Sequence, residues 1–553
     1  MIRIFLKNLL CFLLVALQLA AAAEPTPPLT EPIPSVTVHI PMRDGFELTA
    51  DLYYPTGSIV TNEYPCILIR LPGGRKAKQW LPLAKMAQDG YVVAIQDTRS
   101  ALDPEGATLP YFSDGWGVHQ DGLDTINWLA SSSFTNGEIG TAGFSAAGVT
   151  QLMLAPTAPP ALKCQYIGQA FGSLFHHAIF QGGQFQKNMV EVWLSHYAPH
   201  PSVLEFVVGQ PIYNNFWQSF NTMNLAHQVE VPAVHYGGWY DPFIQGTIDA
   251  FIARQGSSEG GARKTQKLLI GPWTHFWPKD LTLGDFQVPL NGQSPPLDIS
   301  PKRWFDYYLK GIKNGASDIA AVTYYVMGPL DGTASSGNVW RHADAWPVPA
   351  EDTTFFLTAD KKITTTLPAE KKNLSYVNNP DDPVPTIGGR NLFLLSGPRD
   401  QRPNEARKDV LVFTSAPLEE ELEVTGQMFA KFFFSSSVPD TDVAAWLTDV
   451  YPDGKSLLVA EGLTRTGRLQ GSDVSADIPQ ELTIDLLSTS TVFAKGHSIR
   501  VVIAGSNYPR YEKNQHGAVS GNDETIVVAN CRIYVGNNTP SRLILPVIRK
   551  SAP

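Results

Sequence analysis

The stretch IGTAGFSAAGVTQ, residues 139–151, sets Ser145 between glycines at 143 and 148, the second of them one place later than in the usual G-x-S-x-G pentapeptide. A serine hydroxyl becomes a strong nucleophile when an adjacent base takes its proton, and that base needs an acid to orient it. Two later stretches supply both residue types: VPAVHYGGWYDPF carries Asp241, and QKLLIGPWTHFW carries His275. Each polar residue follows an apolar run, which puts it at the carboxyl end of a strand, the edge where open α/β sheets bind ligands. The chain order Ser, Asp, His is that of α/β-hydrolases. The chemistry to expect is acyl transfer: Ser145 as nucleophile, His275 as general base and then acid, and Asp241 orienting and stabilising the imidazolium. Singly, each has a plainer reading: a small residue at a turn, an aspartate capping a turn before proline, a histidine satisfied near tryptophans. The three in this order and context favour catalysis.

A developing oxyanion needs hydrogen-bond donors, and the backbone N–H of the residue after the nucleophile, Ala146, offers one whatever its side chain. Trp239, Trp273, Trp277 and Phe144 are candidates to line an apolar acyl pocket, with Trp193, Phe216 and Trp217 further along the list of aromatics. No His, Cys and carboxylate cluster has zinc-like spacing, and adjacent His176 and His177 diverge on a helix, so no metal or other cofactor is expected. Asp97 and Arg99, in QDTRS just after an apolar run, read as loop ties.

To bring the three together the chain must build a sheet. VTVHIPMRDGFELTADLYYP reads as a hairpin turning at Asp44-Gly45. Short apolar runs follow at 66–70, 91–96, 231–236 and 267–270, interleaved with helical patterns such as DGLDTINWLASSS. That alternation predicts a parallel sheet flanked by helices. Residues 164–230 are aromatic-rich and helix-compatible without a strand run of their own, and predict an inserted helical cap. From 321 to 553, alternating runs such as MFAKFFFSSS and TIVVANCRIYVG predict a jelly-roll-like β-sandwich. The expected organisation is an α/β-hydrolase domain over 36–163 and 231–320, the cap at 164–230, and the sandwich at 321–553.

Before these, residues 1–23 carry Arg3 and Lys7, an apolar run and then small residues, the layout of a cleavable secretory signal. The run is shorter than the roughly 20 residues of a spanning helix. A Pro-rich leader, 24–35, follows. Export to the periplasm or medium is expected, with no stable membrane insertion after cleavage. Loss of Arg3 and Lys7 takes the net charge from −10 to −12, which argues against nucleic acid as a partner. The mature chain keeps Cys66, Cys164 and Cys531, an odd number, so at most one disulfide forms and the core must carry stability.

The sequence also resembles the CocE/NonD-type acyl hydrolases, which include cocaine esterase, α-amino acid ester hydrolases and X-Pro dipeptidyl-peptidases. The resemblance runs through PMRDGFELTADLYYP, VVAIQDTRS, GFSAAGVTQ, GGWYDPF, LLIGPWTH, RWFDYYLKGIKNG, LTDVYPDGKS and GHSIRVVIAGSNYPRYEKN, nearly the whole mature chain. The family elbow is G-x-S-Y-x-G, which accounts for the late Gly148. Carried over by motif, the resemblance implies the same Ser145, Asp241 and His275. It also implies a tyrosine hydroxyl as second oxyanion donor in an R-x-P-Y segment, where this chain has LIRLPGGRK and Gly73. The amides of Gly73 or Gly74 are the expected replacement, since glycines permit close approach of main chain to ligand. The function expected is a secreted serine hydrolase cleaving a carboxylic ester or activated amide of a small molecule. The alternatives are an X-Pro dipeptidyl-peptidase, an α-amino acid ester hydrolase, and a non-catalytic binding protein on the same fold. After Asp241 the first acid is Asp249, which disfavours capture of a substrate ammonium. A homo-oligomer is compatible with the sequence.

Overall fold

The computed structural model describes residues 33–78, 80–257, 259–275, 282–467, 478–516 and 526–549. The expected signal, 1–23, and most of the Pro-rich leader lie outside the described residues. No described helix is long and apolar enough to cross a membrane.

The expected hairpin forms from β1 (Val36–Pro41) and β2 (Glu47–Tyr53), paired antiparallel from Val36↔Leu52 to Pro41↔Glu47. Its connection turns at Gly45, whose φ of 83° suits glycine. Strand β2 then pairs antiparallel with β4 (Val92–Asp97). From β4 onward the sheet is parallel through β3 (Cys66–Leu71), β5 (Ile139–Phe144), β6 (Leu162–Gly168), β7 (Ala233–Tyr240) and β8 (Lys267–Thr274). Every residue of β3 and β4 is buried, the mark of a strand covered by helices on both faces.

Two boundaries differ from the sequence expectation. Strand β6 lies in the sheet, so residues 164–168 belong to the hydrolase domain and the cap starts after Gly168. Its apolar pattern is broken by Gln165, which is fully buried yet satisfied. The Gln165 amide donates to Thr141 Oγ1 and the Gln151 carbonyl, and its oxygen accepts from the Arg254 guanidinium at 2.8 Å. At the other edge, Val322–Val326 runs parallel to β8 and Val339–Ala343 returns antiparallel. They complete a 10-stranded sheet, so the sandwich begins at Glu351 rather than at 321.

The cap helices Lys187–Tyr197, Pro201–Val208 and Asn215–Gln218 pack on a buried aromatic cluster that includes Phe175, Phe180, Phe185 and Trp217. Beyond Glu351, an 11-stranded hydrogen-bonded sheet doubles over a core containing Phe413, Phe432, Phe434, Ile484 and Ile533. Its long central pair is Leu422–Ser436 with Gln480–Phe493. The sandwich is tied to the hydrolase domain by fully buried Arg390, which donates to the carbonyls of Trp239, Leu486 and Ser488. Cys66, Cys164 and Cys531 are all buried and unpaired with one another. Stability therefore rests on the cores, as the odd count requires.

Candidate active site

Strand β5 ends at Phe144, and Ser145 stands between it and the helix Ala146–Leu154 with φ 55° and ψ −127°. Few residues with a side chain adopt that conformation, which costs on the order of 1–3 kcal/mol and must be imposed by the surroundings. Two restraints are visible. The Ser145 N–H donates to the Gly168 carbonyl on β6 at 2.9 Å, and Gly143, at φ 134°, lies so close to the helix that a Cβ there would meet Ala147 Cβ at 2.6 Å. The late glycine has its own reason: a Cβ on Gly148 would meet the Gly168 carbonyl oxygen at 2.6 Å and Ala170 Cβ at 2.7 Å. The helix thus lies tightly over β6, and glycine is needed one place later than the pentapeptide has it. Because the obstacle is backbone, Gly148→Ala is expected to lower stability by about 1–3 kcal/mol, read from urea unfolding.

The base and acid arrive from the next two strands. A Cβ on Gly238 would meet the Trp273 carbonyl at 2.2 Å, and the β7/β8 register shifts between Gly238 and Tyr240. This close, irregular ending brings Asp241 beside His275. His275 Nε2 lies 2.9 Å from Ser145 Oγ, and His275 Nδ1 lies 3.2 Å from Asp241 Oδ2. Asp241 is fully buried and its other oxygen accepts the Phe243 N–H at 2.7 Å, which fixes the carboxylate plane. The Phe243 ring stands edge-on to the imidazole with centroids 5.3 Å apart. With these distances the imidazole can take the Ser145 proton through Nε2 while Nδ1–H donates to the carboxylate.

Ser145 and Ala146 open onto an apolar cavity. Its walls come from the cap and its approaches, Phe171, Leu174, Ile179, Met189 and Trp193, with Phe243 from the turn after β7, Leu392 from the C-terminal domain and Tyr111 from the loop before the helix Asp121–Ser131. An apolar chamber beside the nucleophile suits an apolar acyl group.

Most of the aromatics expected here line something else. Trp239 is fully buried with its indole N–H on the Tyr325 carbonyl at 2.7 Å, and Trp273 is fully buried with its N–H on the Gly292 carbonyl at 2.8 Å. Both lie within strands, two residues before Asp241 and His275, and pack on Trp346 and Trp340 respectively. Phe144 packs on Trp80 with centroids 4.6 Å apart, outside the cavity lining. Trp277 lies outside the described residues. Trp217 and Phe216 pack within the cap cluster, and Trp193 does reach the cavity. Sequence reasoning missed Tyr111, Phe171, Met189 and Leu392; only the spacing of Met189, Val190 and Trp193 on one helical face carried a signal.

The expected glycine donors sit in a turn. Gly74, at φ 88°, donates its N–H to the Leu71 carbonyl at 3.4 Å, and the next N–H, of Arg75, goes to Asp97 Oδ1 at 2.5 Å. On Gly73, a Cβ would meet Tyr197 Cε1 at 2.5 Å, so a cap tyrosine fills the space a side chain there would need.

Asp97 also pairs with the Arg75 guanidinium, and Arg99 pairs with Asp121 and Asp44, so both tie loops to the scaffold. His177 pairs with Asp249 at 3.0 Å and His176 contacts Ser173 Oγ. Burial, with His177 adjacent, pulls His176 down to about 4. Among the described residues no three His, Cys, Asp or Glu side chains are grouped to hold a metal.

A family model described as X-Pro dipeptidyl-peptidase (S15 family) matches residues 44–200 and 186–277, and that of the X-Pro dipeptidyl-peptidase C-terminal non-catalytic domain matches 314–544. The chain belongs to the CocE/NonD-type hydrolases of the S15 family. These are serine hydrolases, and this chain is one. The S15 hydrolase is 29% identical to the cocaine esterase of Rhodococcus sp. (strain MB1 Bresler), over 93% of this chain and 98% of that one. Its fold is shared with an aminopeptidase from a marine sediment Thaumarchaeota archaeon, at TM-score 0.80 and 23% identity, covering 96% and 99% of the two chains. It is shared also with an α-amino acid ester hydrolase, at TM-score 0.77 and 22% identity, covering 95% and 100%. The C-terminal family model begins at 314, ahead of the two strands that extend the hydrolase sheet of this S15 member.

Proposed function

We propose that this S15 hydrolase is an exported esterase that cleaves carboxylic esters with an apolar acyl group through an acyl-enzyme on Ser145. The observation that carries the reading is the Ser145 Oγ to His275 Nε2 distance of 2.9 Å at the floor of an apolar cavity. Ser145 attacks the carbonyl carbon as His275 takes its proton; the leaving alcohol receives that proton, and water then releases the acid by the same route. In this reading Ala146 N–H, the amide after the nucleophile, donates to the developing oxyanion, and Asp241 holds the imidazole. Similarity to a cocaine esterase supports an ester over an amide. An amine-capturing activity is disfavoured because Asp249, the first acid after Asp241, is engaged by His177 and by the Gln245 amide. The N-terminal layout at 1–23 supports export.

Incubation with a fluorophosphonate and peptide mapping tests the reading. Label on Ser145, absent in Ser145→Ala, supports it; a folded protein that hydrolyses p-nitrophenyl esters with Ser145 unlabelled overturns it. The acyl assignment has its own test. Ala178 lines the cavity, so Ala178→Leu is expected to lower kcat/KM for butanoyl relative to acetyl esters by about 10-fold or more. An unchanged ratio would place the acyl group elsewhere.

A further inference from the structure

An acyl-transfer site needs a second oxyanion donor besides the Ala146 N–H, since one donor is worth about 10²–10³ in rate. The Gly73–Gly74 turn is a poor source: the Gly74 and Arg75 amides are already engaged, and Tyr197 covers Gly73. Among the groups that share the cavity with Ser145 and Ala146, one phenol stands out. Resting on the esterase reading above, we propose that the Tyr111 hydroxyl is that second donor.

Four observations carry it. Tyr111 lines the cavity into which Ser145 opens. The residue is 3% exposed, and among the described residues no hydrogen bond holds its hydroxyl, which leaves the O–H available to a ligand in the cavity. Its ring is fixed, stacked on Trp193 at 5.7 Å and edge-on to Phe171 at 6.4 Å. Its backbone is held at φ 70°, unusual for a residue with a bulky side chain. Three residues further on, the same loop carries a buried ion pair, Asp114 with Arg70 at 2.7 Å. Burial, together with the neighbouring Tyr197 and Asp114, pushes the Tyr111 phenol well above the ordinary tyrosine range, so it stays protonated and able to donate.

In the step itself, a lone pair of Ser145 Oγ forms the bond to the carbonyl carbon, and the serine proton passes to His275 Nε2. The carbonyl π pair moves onto oxygen, which accepts hydrogen bonds from Ala146 N–H and Tyr111 O–H. On collapse the pair returns, the bond to the leaving oxygen breaks, and that oxygen takes the proton from His275. Tyr111 keeps its proton throughout.

The test compares p-nitrophenyl esters with their thiono analogues, whose C=S accepts hydrogen bonds poorly. In Tyr111→Phe, kcat for the oxygen ester is expected to fall about 100-fold with KM little changed, and the ester-to-thionoester rate ratio to shrink by about 10-fold or more. Equal slowing of both substrates would mark a merely structural role and overturn the proposal, as would an unchanged kcat. So would a large loss in Tyr197→Phe with Tyr111→Phe silent. Stoichiometric fluorophosphonate labelling of Ser145 in the same variants separates these outcomes from failure of the esterase reading. Should Tyr111→Phe not fold, 3,5-difluorotyrosine at 111 preserves the shape with a more acidic phenol. Then kcat is expected to gain a descending limb as pH rises through the phenol's ionisation, and a profile matching that of the wild type overturns the assignment.

Discussion

Ser145→Ala is expected to lower kcat for ester hydrolysis by about 10⁴- to 10⁶-fold, with KM little changed and the protein fully folded. Without Oγ there is no bond to the acyl carbon, and the remaining rate comes from water in a cavity that still binds substrate and polarises its carbonyl. His275→Ala is expected to cost a similar factor, and the double variant no more than either alone, because the two side chains 2.9 Å apart act as one unit. Losses that multiply in the double variant would show that His275 does not serve Ser145. The backbone supplies an independent reading. At φ 55° and ψ −127° Ser145 is strained, so Ser145→Gly is expected to be inactive yet more stable than wild type by about 1 kcal/mol. Urea unfolding beside the rate assay checks both. An inactive Ser145→Gly that is also less stable would mean the turn is not held against its own preference.

The meeting of Ser145, Asp241 and His275 was legible because each follows a strand whose apolar run is unmistakable. LLIGPWT before His275 and AVHYGGWY before Asp241 fix the sheet edge, and the order of the three fixes their company. Strand β6 was illegible for the opposite reason: Lys163 and Gln165 break its pattern, and Gln165 is tolerated in the core only because Thr141, Gln151 and Arg254, distant in sequence, satisfy it. The strands at 322–326 and 339–343 alternate like those of the sandwich, and local pattern does not reveal which sheet a strand joins. The pocket was misread because nearness in sequence was taken for nearness in space. Trp239 and Trp273 precede Asp241 and His275, but each indole N–H is bonded in the core to a backbone carbonyl, of Tyr325 and of Gly292. The lining comes mostly from the cap, with Phe243, Leu392 and a loop whose Tyr111 adopts a positive φ that no tyrosine announces.

Asp241→Asn is the sharper probe of how the site works, because it changes almost no volume. The asparagine oxygen can still accept the Phe243 N–H, which now comes in at 2.7 Å, so the loop keeps its shape. What faces His275 Nδ1 is then an amide NH₂, a donor where an acceptor stood at 3.2 Å. To meet it Nδ1 must give up its proton, which leaves the proton on Nε2, the nitrogen that has to receive one from Ser145. The imidazolium formed in the transition state also loses its buried counter-charge, and burial makes that loss large. The expected fall in kcat is about 10⁴-fold at neutral pH, with the melting temperature unchanged or raised because a fully buried carboxylate has been neutralised. Asp241→Glu restores the charge but not the 3.2 Å geometry and is expected to recover part of the rate. If Asp241→Asn kept kcat within about 10-fold of wild type, the tautomer of His275 would be set by some other group, and the roles drawn from the sheet edge would have to be reassigned.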